Sequence, residues 1–242
     1  MHGGESPWWV DARGASPAIL RTPSSRITAD QIATNAAALS VAERHHLPAP
    51  RLLATDLVGG TPVTLETVIP GTSTWPAVPS RELLLAAGAA IARVHAVALE
   101  PQPNLPFRPR PIAVDDFAAD RRGGRMPTTP LLRLADQRVR AATPPDGPIG
   151  FVHGDVWPGN TVVAGRRVRA LIDWKTAGVG DAGVDVGELR KQVAIHYGRD
   201  APELVGAPYW DVVAALNTPT ELYSPQATRR RDEFLRAALD RL

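Results

Sequence analysis

The chain has 242 residues, with 27 Lys or Arg against 25 Asp or Glu and a formal charge of +2, which is length enough for two modest lobes around a real core. It contains no cysteine, which excludes disulfides, thiolate metal sites and cysteine nucleophiles, so any metal must sit on oxygen or histidine. No run approaches the roughly 20 apolar residues of a membrane span, and the start Met1-His2-Gly3-Gly4-Glu5 lacks the basic and apolar regions of a secretory signal. The expectation is therefore a cytoplasmic protein with no membrane partner. Charges are interspersed and no internal repeat is visible; the compact basic run Arg229-Arg230-Arg231 reads as a solvated helix start without interleaved aromatics, so nucleic acid is not an expected partner.

In chain order, Trp8 to Asp11 and Pro17 to Arg21 read as two strands, and Thr28 to Arg44 as a helix with Thr28 as N-cap. A third strand is expected at Thr61 to Ile69. Pro79-Ser80 opens a helix from Arg81 to about Val97, with Leu84, Ala87, Ile91 and Val94 on one face and His95 packed near its end. Pro101 to Pro111 is proline-dense and reads as an extended connector. Val114 to Ala119 and Thr129 to Arg140 are expected as helices around a solvated basic turn, Arg121-Arg122-Gly123-Gly124-Arg125. Val162-Val163 and Val168 to Ile172 read as short strands joined at Gly165-Arg166-Arg167, and Gly183 to Tyr197, Tyr209 to Leu216 and Arg231 to Leu242 as helices.

The segment carrying chemistry is Val152-His153-Gly154-Asp155-Val156-Trp157-Pro158-Gly159-Asn160, followed by Leu171-Ile172-Asp173-Trp174. Phosphoryl transfer asks a protein mainly to position an acceptor hydroxyl and to neutralise phosphate charge through metal ions. Asp155 can accept the hydroxyl proton, while Asn160 offers an amide oxygen and Asp173 a carboxylate, both hard ligands suited to Mg²⁺. The strand pair between them would fold Asp173 back beside the loop carrying Asp155 and Asn160.

His153-Gly154-Asp155, Asn160 and Ile172-Asp173-Trp174, with Gly180-Asp181 and Asp185 behind, resemble the signature of the aminoglycoside phosphotransferase family. Leu47 to Asp56 resembles the segment entering that family's hinge, and Leu65-Glu66-Thr67-Val68-Ile69-Pro70-Gly71 the hinge itself. The resemblance implies a two-lobed, α+β, protein-kinase-like fold: a short β-rich N-terminal lobe over residues 1–70 and a mainly helical catalytic and acceptor-binding lobe over residues 71–242. It implies use of ATP (or GTP) with Mg²⁺ to phosphorylate a small-molecule hydroxyl acceptor, the adenine resting on hinge backbone from Glu66 through Thr67 to Val68.

The phosphate-binding half departs from the family pattern. The best match to its nucleotide-covering loop is Gly3-Gly4-Glu5-Ser6, where Gly3 and Gly4 can bring backbone amides close to phosphates, and no residues remain for a strand before it. Arg21 stands where lysine is often found and can bind phosphate bidentately. Its usual acidic partner on the following helix is replaced by Asn35, and Glu43 lies about 80° around the helix at roughly 100° per residue, so that ion pair is expected to be absent. An active kinase and a non-catalytic or N-terminally truncated binding module therefore both fit, and a third reading groups Asp155, Asp173 and Asp185 as a metal cluster for hydrolysis. From Val186 to Leu242 eight acidic residues face eight basic ones, so this half specifies no acceptor charge, and nothing in the sequence sets an oligomeric state.

Overall fold

A computed structural model of the protein describes residues 7–11, 14 and 16–242. Its first part is a four-stranded antiparallel sheet in the order β1-β2-β4-β3, built from β1 (Trp8–Val10), β2 (Ala18–Arg21), β3 (Leu52–Val58) and β4 (Thr61–Thr67). Between β2 and β3 runs helix α1 (Ala29–Arg44), started by a reciprocal cap in which Thr28 Oγ1 accepts from Gln31 N–H and Gln31 accepts from Thr28 N–H. β3 is a strand that the expected element order lacked. Its signal was the Gly59-Gly60 pair, both at positive φ, which closes the two-residue β3–β4 hairpin.

The second part is mainly helical: α2 (Arg81–His95), α3 (Phe117–Arg122), α4 (Pro130–Ala141), α5 (Gly183–Tyr197), α6 (Pro208–Leu216) and α7 (Pro225–Leu239). Between α4 and α5 lie two small antiparallel pairs, β5 (Ile149–Val152) with β8 (Gly178–Asp181), and β6 (Thr161–Ala164) with β7 (Arg167–Leu171). One hydrophobic core runs from Leu39 and Val41 of α1 through Leu84, Ile91 and Val94 of α2 to Phe151, Leu171 and Trp174, so the two parts share an interior. A second cluster joins α4, α6 and α7 through Leu132, Leu216 and Leu235. The fold is α+β, a β-rich N-terminal part followed by a helical one.

Several elements depart from the sequence reading for identifiable reasons. α3 starts at Phe117 rather than Val114 because Asp116 accepts from Ala119 N–H at 2.8 Å as its N-cap. α7 starts at Pro225 rather than Arg231, with Ser224 as cap and proline in the first turn. The basic run Arg229-Arg230-Arg231 is consequently mid-helix and is not a solvated start. Arg231 is fully buried, paired with Glu221 and Asp232, and Arg230 donates to the carbonyls of Ile195 and His196 at the end of α5. Arg121 is likewise buried in α3 against Glu221 rather than solvated in a turn.

Candidate active site

The loop after β5 is held from behind by α5. Asp185, fully buried, accepts from the N–H groups of His153 (2.9 Å) and Gly154 (2.7 Å) and pairs with His95 Nε2 at 3.0 Å. Burial works to raise its pKa, but the His95 hydrogen bond and charge more than reverse this and hold the carboxyl below its usual range. With its oxygens committed to the loop, Asp185 is a brace, and the three-carboxylate cluster for hydrolysis does not form. His153 is a second strut. Its Nε2–H faces the Ile172 carbonyl at 3.0 Å and its Nδ1 accepts from Asp155 N–H at 3.3 Å, a pattern that requires the neutral ring; burial also lowers its pKa. Gly154 has φ +80°, and a Cβ there would lie 2.4 Å from the Thr176 carbonyl oxygen, so no other residue fits between His153 and Asp155.

These contacts aim Asp155 at the cleft. Its backbone carbonyl and Oδ2 accept from Asn160 Nδ2 at 2.9 and 3.0 Å. Burial, reinforced by the charge of Glu188, pushes its carboxyl up to about 7 against the opposing pull of Lys175. Such a group is suited to taking a proton near neutral pH. Because Asn160 spends its amide nitrogen on Asp155, its side-chain oxygen is the atom left for a cation.

The β6–β7 hairpin brings Asp173 alongside. Thr161 pairs with Leu171, and Ile172 N–H donates to the Asn160 carbonyl at 2.9 Å. Asp173 itself has φ 66° and ψ 58°, a left-handed conformation uncommon for aspartate, and heads a 3-10 turn over Trp174–Thr176. Trp174 anchors the turn by stacking on Phe151 at 5.5 Å and donating Nε1–H to the Leu171 carbonyl at 2.8 Å. The Asp173 oxygens are divided between two cations: Oδ1 lies 3.3 Å from Arg21 Nη1 and Oδ2 pairs with Lys175 Nζ. Burial would raise its pKa, but Lys175 and Arg21 hold it below the ordinary value. Lys175 was not singled out from sequence, because only the tight turn after Asp173 brings its side chain back to that carboxylate.

Arg21 does have an acidic partner, contrary to expectation. Its Nε pairs with Glu66, whose side chain is 1% exposed, because β2 and β4 are neighbours with Ile19 opposite Glu66 and Arg21 opposite Thr64. A sheet neighbour replaces the expected helical acid. Asn35, which stands in place of that acid, accepts from Trp174 N–H at 3.1 Å and its side chain also lies against Glu66. Burial raises the Glu66 carboxyl with Arg21 opposing it, while Glu66 and Asp173 overcome burial to raise Arg21. Of the hinge residues, Glu66 and Thr67 lie within β4, and Thr67 N–H is already donated to the Arg51 carbonyl at 3.0 Å; Val68 is the first residue past the strand. Gly3 and Gly4 lie outside the described residues.

Asp155 and Asp173 open onto a cavity of about 320 Å³ whose wall also includes Trp157, Lys175, Lys191 and Tyr223. Lys191 is fully buried and donates to Glu188 Oε1 (2.6 Å) and Thr218 Oγ1 (2.7 Å). Among the described residues, no three His, Asp or Glu side chains are grouped to hold a metal. The donor set of one amide oxygen and one carboxylate instead fits Mg²⁺ whose remaining ligands are water and substrate phosphates. Among the described residues, no helix is long and apolar enough to cross a membrane.

Comparison with known proteins places this cleft in context. A thermostable mutant of aminoglycoside phosphotransferase APH(4)-Ia, solved as a ternary complex with AMP-PNP and hygromycin B, is similar at a TM-score of 0.70 and 18% identity, covering 98% of this chain and 92% of that one. Amicoumacin kinase hAmiN, in complex with AMP-PNP, Ca²⁺ and Ami, gives 0.66 at 11% identity over 98% and 86%. Macrolide 2'-phosphotransferase MphH from Brachybacterium faecium gives 0.57 at 20% over 96% and 81%. No curated protein sequence matches significantly. The model of the phosphotransferase enzyme family (APH) matches residues 2–240. Because that match takes in both the sheet that carries Arg21 and the loops that bring Asp155, Asn160 and Asp173 together, the chain belongs to the aminoglycoside phosphotransferase family, with its kinase-like fold.

Proposed function

We propose that the protein is an ATP-dependent phosphotransferase that uses Mg²⁺ to phosphorylate a hydroxyl group of a small molecule. The observation that carries this reading is the convergence in one cleft of Asp155, Asn160 and Asp173 with the paired cation Arg21. Asp155 is the proton acceptor for the hydroxyl, held in place by Asn160 and the His153 strut. Asn160 and Asp173 would hold the metal, which when bound neutralises phosphate charge, and Arg21 supplies a fixed positive charge on the phosphate side. Structural relatives solved with AMP-PNP together with hygromycin B, and with AMP-PNP, Ca²⁺ and Ami, support a nucleotide and a small molecule as the two substrates.

The test is a mass-spectrometric screen of hydroxyl-bearing molecules with ATP and Mg²⁺. At least one should gain a phosphoryl group, and Asp155→Asn should lower its turnover by about 10²-fold or more with nucleotide affinity nearly intact. Nucleotide binding without transfer to any acceptor would favour a non-catalytic binding module instead.

A further inference from the structure

The buried arginines of this protein follow a rule with one departure. Arg121, Arg190 and Arg231, each at most 8% exposed, all pair with a carboxylate: Glu221, Asp211 and again Glu221. Arg108 is equally buried at 7%, yet among the described residues no carboxylate lies within ion-pair distance. Its Nε donates to the Ala177 carbonyl at 2.9 Å, and burial, with no neighbouring charge to offset it, pushes its pKa down. Its terminal nitrogens have no partner among the described residues and are not sealed off from the cavity that Arg108 lines, so the guanidinium is free to take a counter-charge that arrives from outside. The placement is built in: Arg108 N–H bonds the Val179 carbonyl at 2.7 Å, and Gly178 leaves space for the side chain, since a Cβ there would meet Arg108 Cγ at 2.7 Å.

Arg108 lines a cavity of about 670 Å³ together with Arg26, Lys175 and the first turns of α1 at Thr28 and Gln31. The N-terminal end of that 16-residue helix adds positive potential to the same wall. Two acids also line it, Asp30 and Asp115, so three basic residues stand against two acidic ones in the lining. Lys175 and Asp115 also line the cavity onto which Asp155 and Asp173 open, so the two cavities adjoin. None of these basic residues falls in the Val186–Leu242 stretch where acidic and basic residues balance.

We propose that the acceptor is a hydroxylated small molecule carrying an oxyanion, a carboxylate or a phosphate ester, with the oxyanion seated on Arg108 and the hydroxyl directed to Asp155. A polycationic acceptor is disfavoured by the same cavity. The proposal rests on the phosphotransferase reading for the hydroxyl end, while the oxyanion seat stands on its own geometry.

The experiment has two arms. In the first, purified full chain with ATP and Mg²⁺ is offered matched sets of hydroxy-carboxylates, sugar phosphates, their neutral esters or dephospho forms, and amino sugars. Phosphoryl gain should be confined to the anionic members, and Arg108→Met should raise KM for the preferred one by about tenfold or more with a much smaller change in kcat. Arg108→Lys should recover part of the loss, and Arg26→Ala, at an exposed position, should give a smaller rise in KM with the fold undisturbed. Turnover of neutral or cationic acceptors in preference to anionic ones would overturn the proposal. The second arm needs no turnover: inorganic phosphate and a hydroxy-carboxylate are titrated into nucleotide-free protein by calorimetry. Binding lost in Arg108→Met, weakened in Arg26→Ala and kept in Arg21→Met, with no transfer to any acceptor, would leave the oxyanion seat standing and remove the phosphotransferase reading. Binding unaffected by Arg108→Met and Arg26→Ala would overturn the seat itself.

Discussion

Neutralising Glu66 tests whether β4 supplies the acid that fixes Arg21. Glu66→Gln keeps the side-chain volume and one carbonyl oxygen while removing the charge that faces Arg21 Nε. The Glu66 side chain is 1% exposed and that of Arg21 12%, so the pair is largely shielded from solvent. Breaking a buried pair from one side costs roughly 3–5 kcal/mol. Arg21 keeps Asp173 Oδ1 at 3.3 Å and some access to water, which places the loss at or just below the lower end of that range, about 2–3 kcal/mol. For a chain of this length each kcal/mol shifts Tm by about 2–4 °C, so thermal denaturation should show a fall of about 4–12 °C. Affinity for MgATP should weaken as well, since Arg21 would be left with Asp173 alone as a partner. The double variant Glu66→Gln/Arg21→Met should lose less than the sum of the two singles, by about 1–3 kcal/mol. A Tm within about 1 °C of wild type together with strictly additive singles would mean that Arg21 is oriented by something other than Glu66.

Asp173→Asn should abolish the Mg²⁺-dependent part of ATP-analogue binding in calorimetry while leaving the fold intact, since Trp174 and Asn35 hold the turn independently. Asn35→Glu, which the sequence alone would suggest as a repair, should instead lower Tm and weaken MgATP binding. It places a second buried carboxylate beside Glu66 and disturbs the bond to Trp174 N–H, a change of about 2–4 kcal/mol. Acid titration should separate wild type from Asp185→Asn. The Asp185 pKa is depressed in the fold, so its contribution is fully present above about pH 4 and is lost as pH falls through the lower folded value. The stability gap between the two proteins, measured by urea unfolding, should therefore shrink as pH falls below about 4, and a constant gap would contradict the brace.

Much of the site was legible because it is local. Asp155, Asn160 and Asp173 sit in one segment, and a short hairpin with register Thr161 to Leu171 joins them, so spacing alone carried most of the geometry. Helices with strong cap residues, Thr28, Ser80 and Thr129, were legible for the same reason. What sequence could not supply was pairing across the sheet. Glu66 reads as a hinge residue until β4 is known to neighbour β2, at which point its side chain, rather than its backbone, becomes its contribution. β5 and β8 were missed because they pair with each other across the intervening β6–β7 hairpin, with no turn to join them in sequence.

Charge was the least legible property, because composition counts residues and energetics depends on their depth. Arg121 and Arg231 looked like ordinary solvated bases in basic runs, yet both converge on Glu221 and tie α3 and α7 to the segment after α6. Arg190 and Asp211 form a two-bond fork between α5 and α6. Once these are paired off, a sequence with a charge near zero leaves Arg108 as a buried guanidinium without an acid among the described residues. Balanced composition is therefore compatible with a polarised lining: Asp155 and Asp173 in one cavity, the latter shared between Arg21 and Lys175, and Arg108, without a carboxylate partner among the described residues, in the adjoining one. An acceptor complementary to both ends would be neutral where it reacts and negative where it is held, so that the group giving it affinity stands apart from the carboxylates that would repel it.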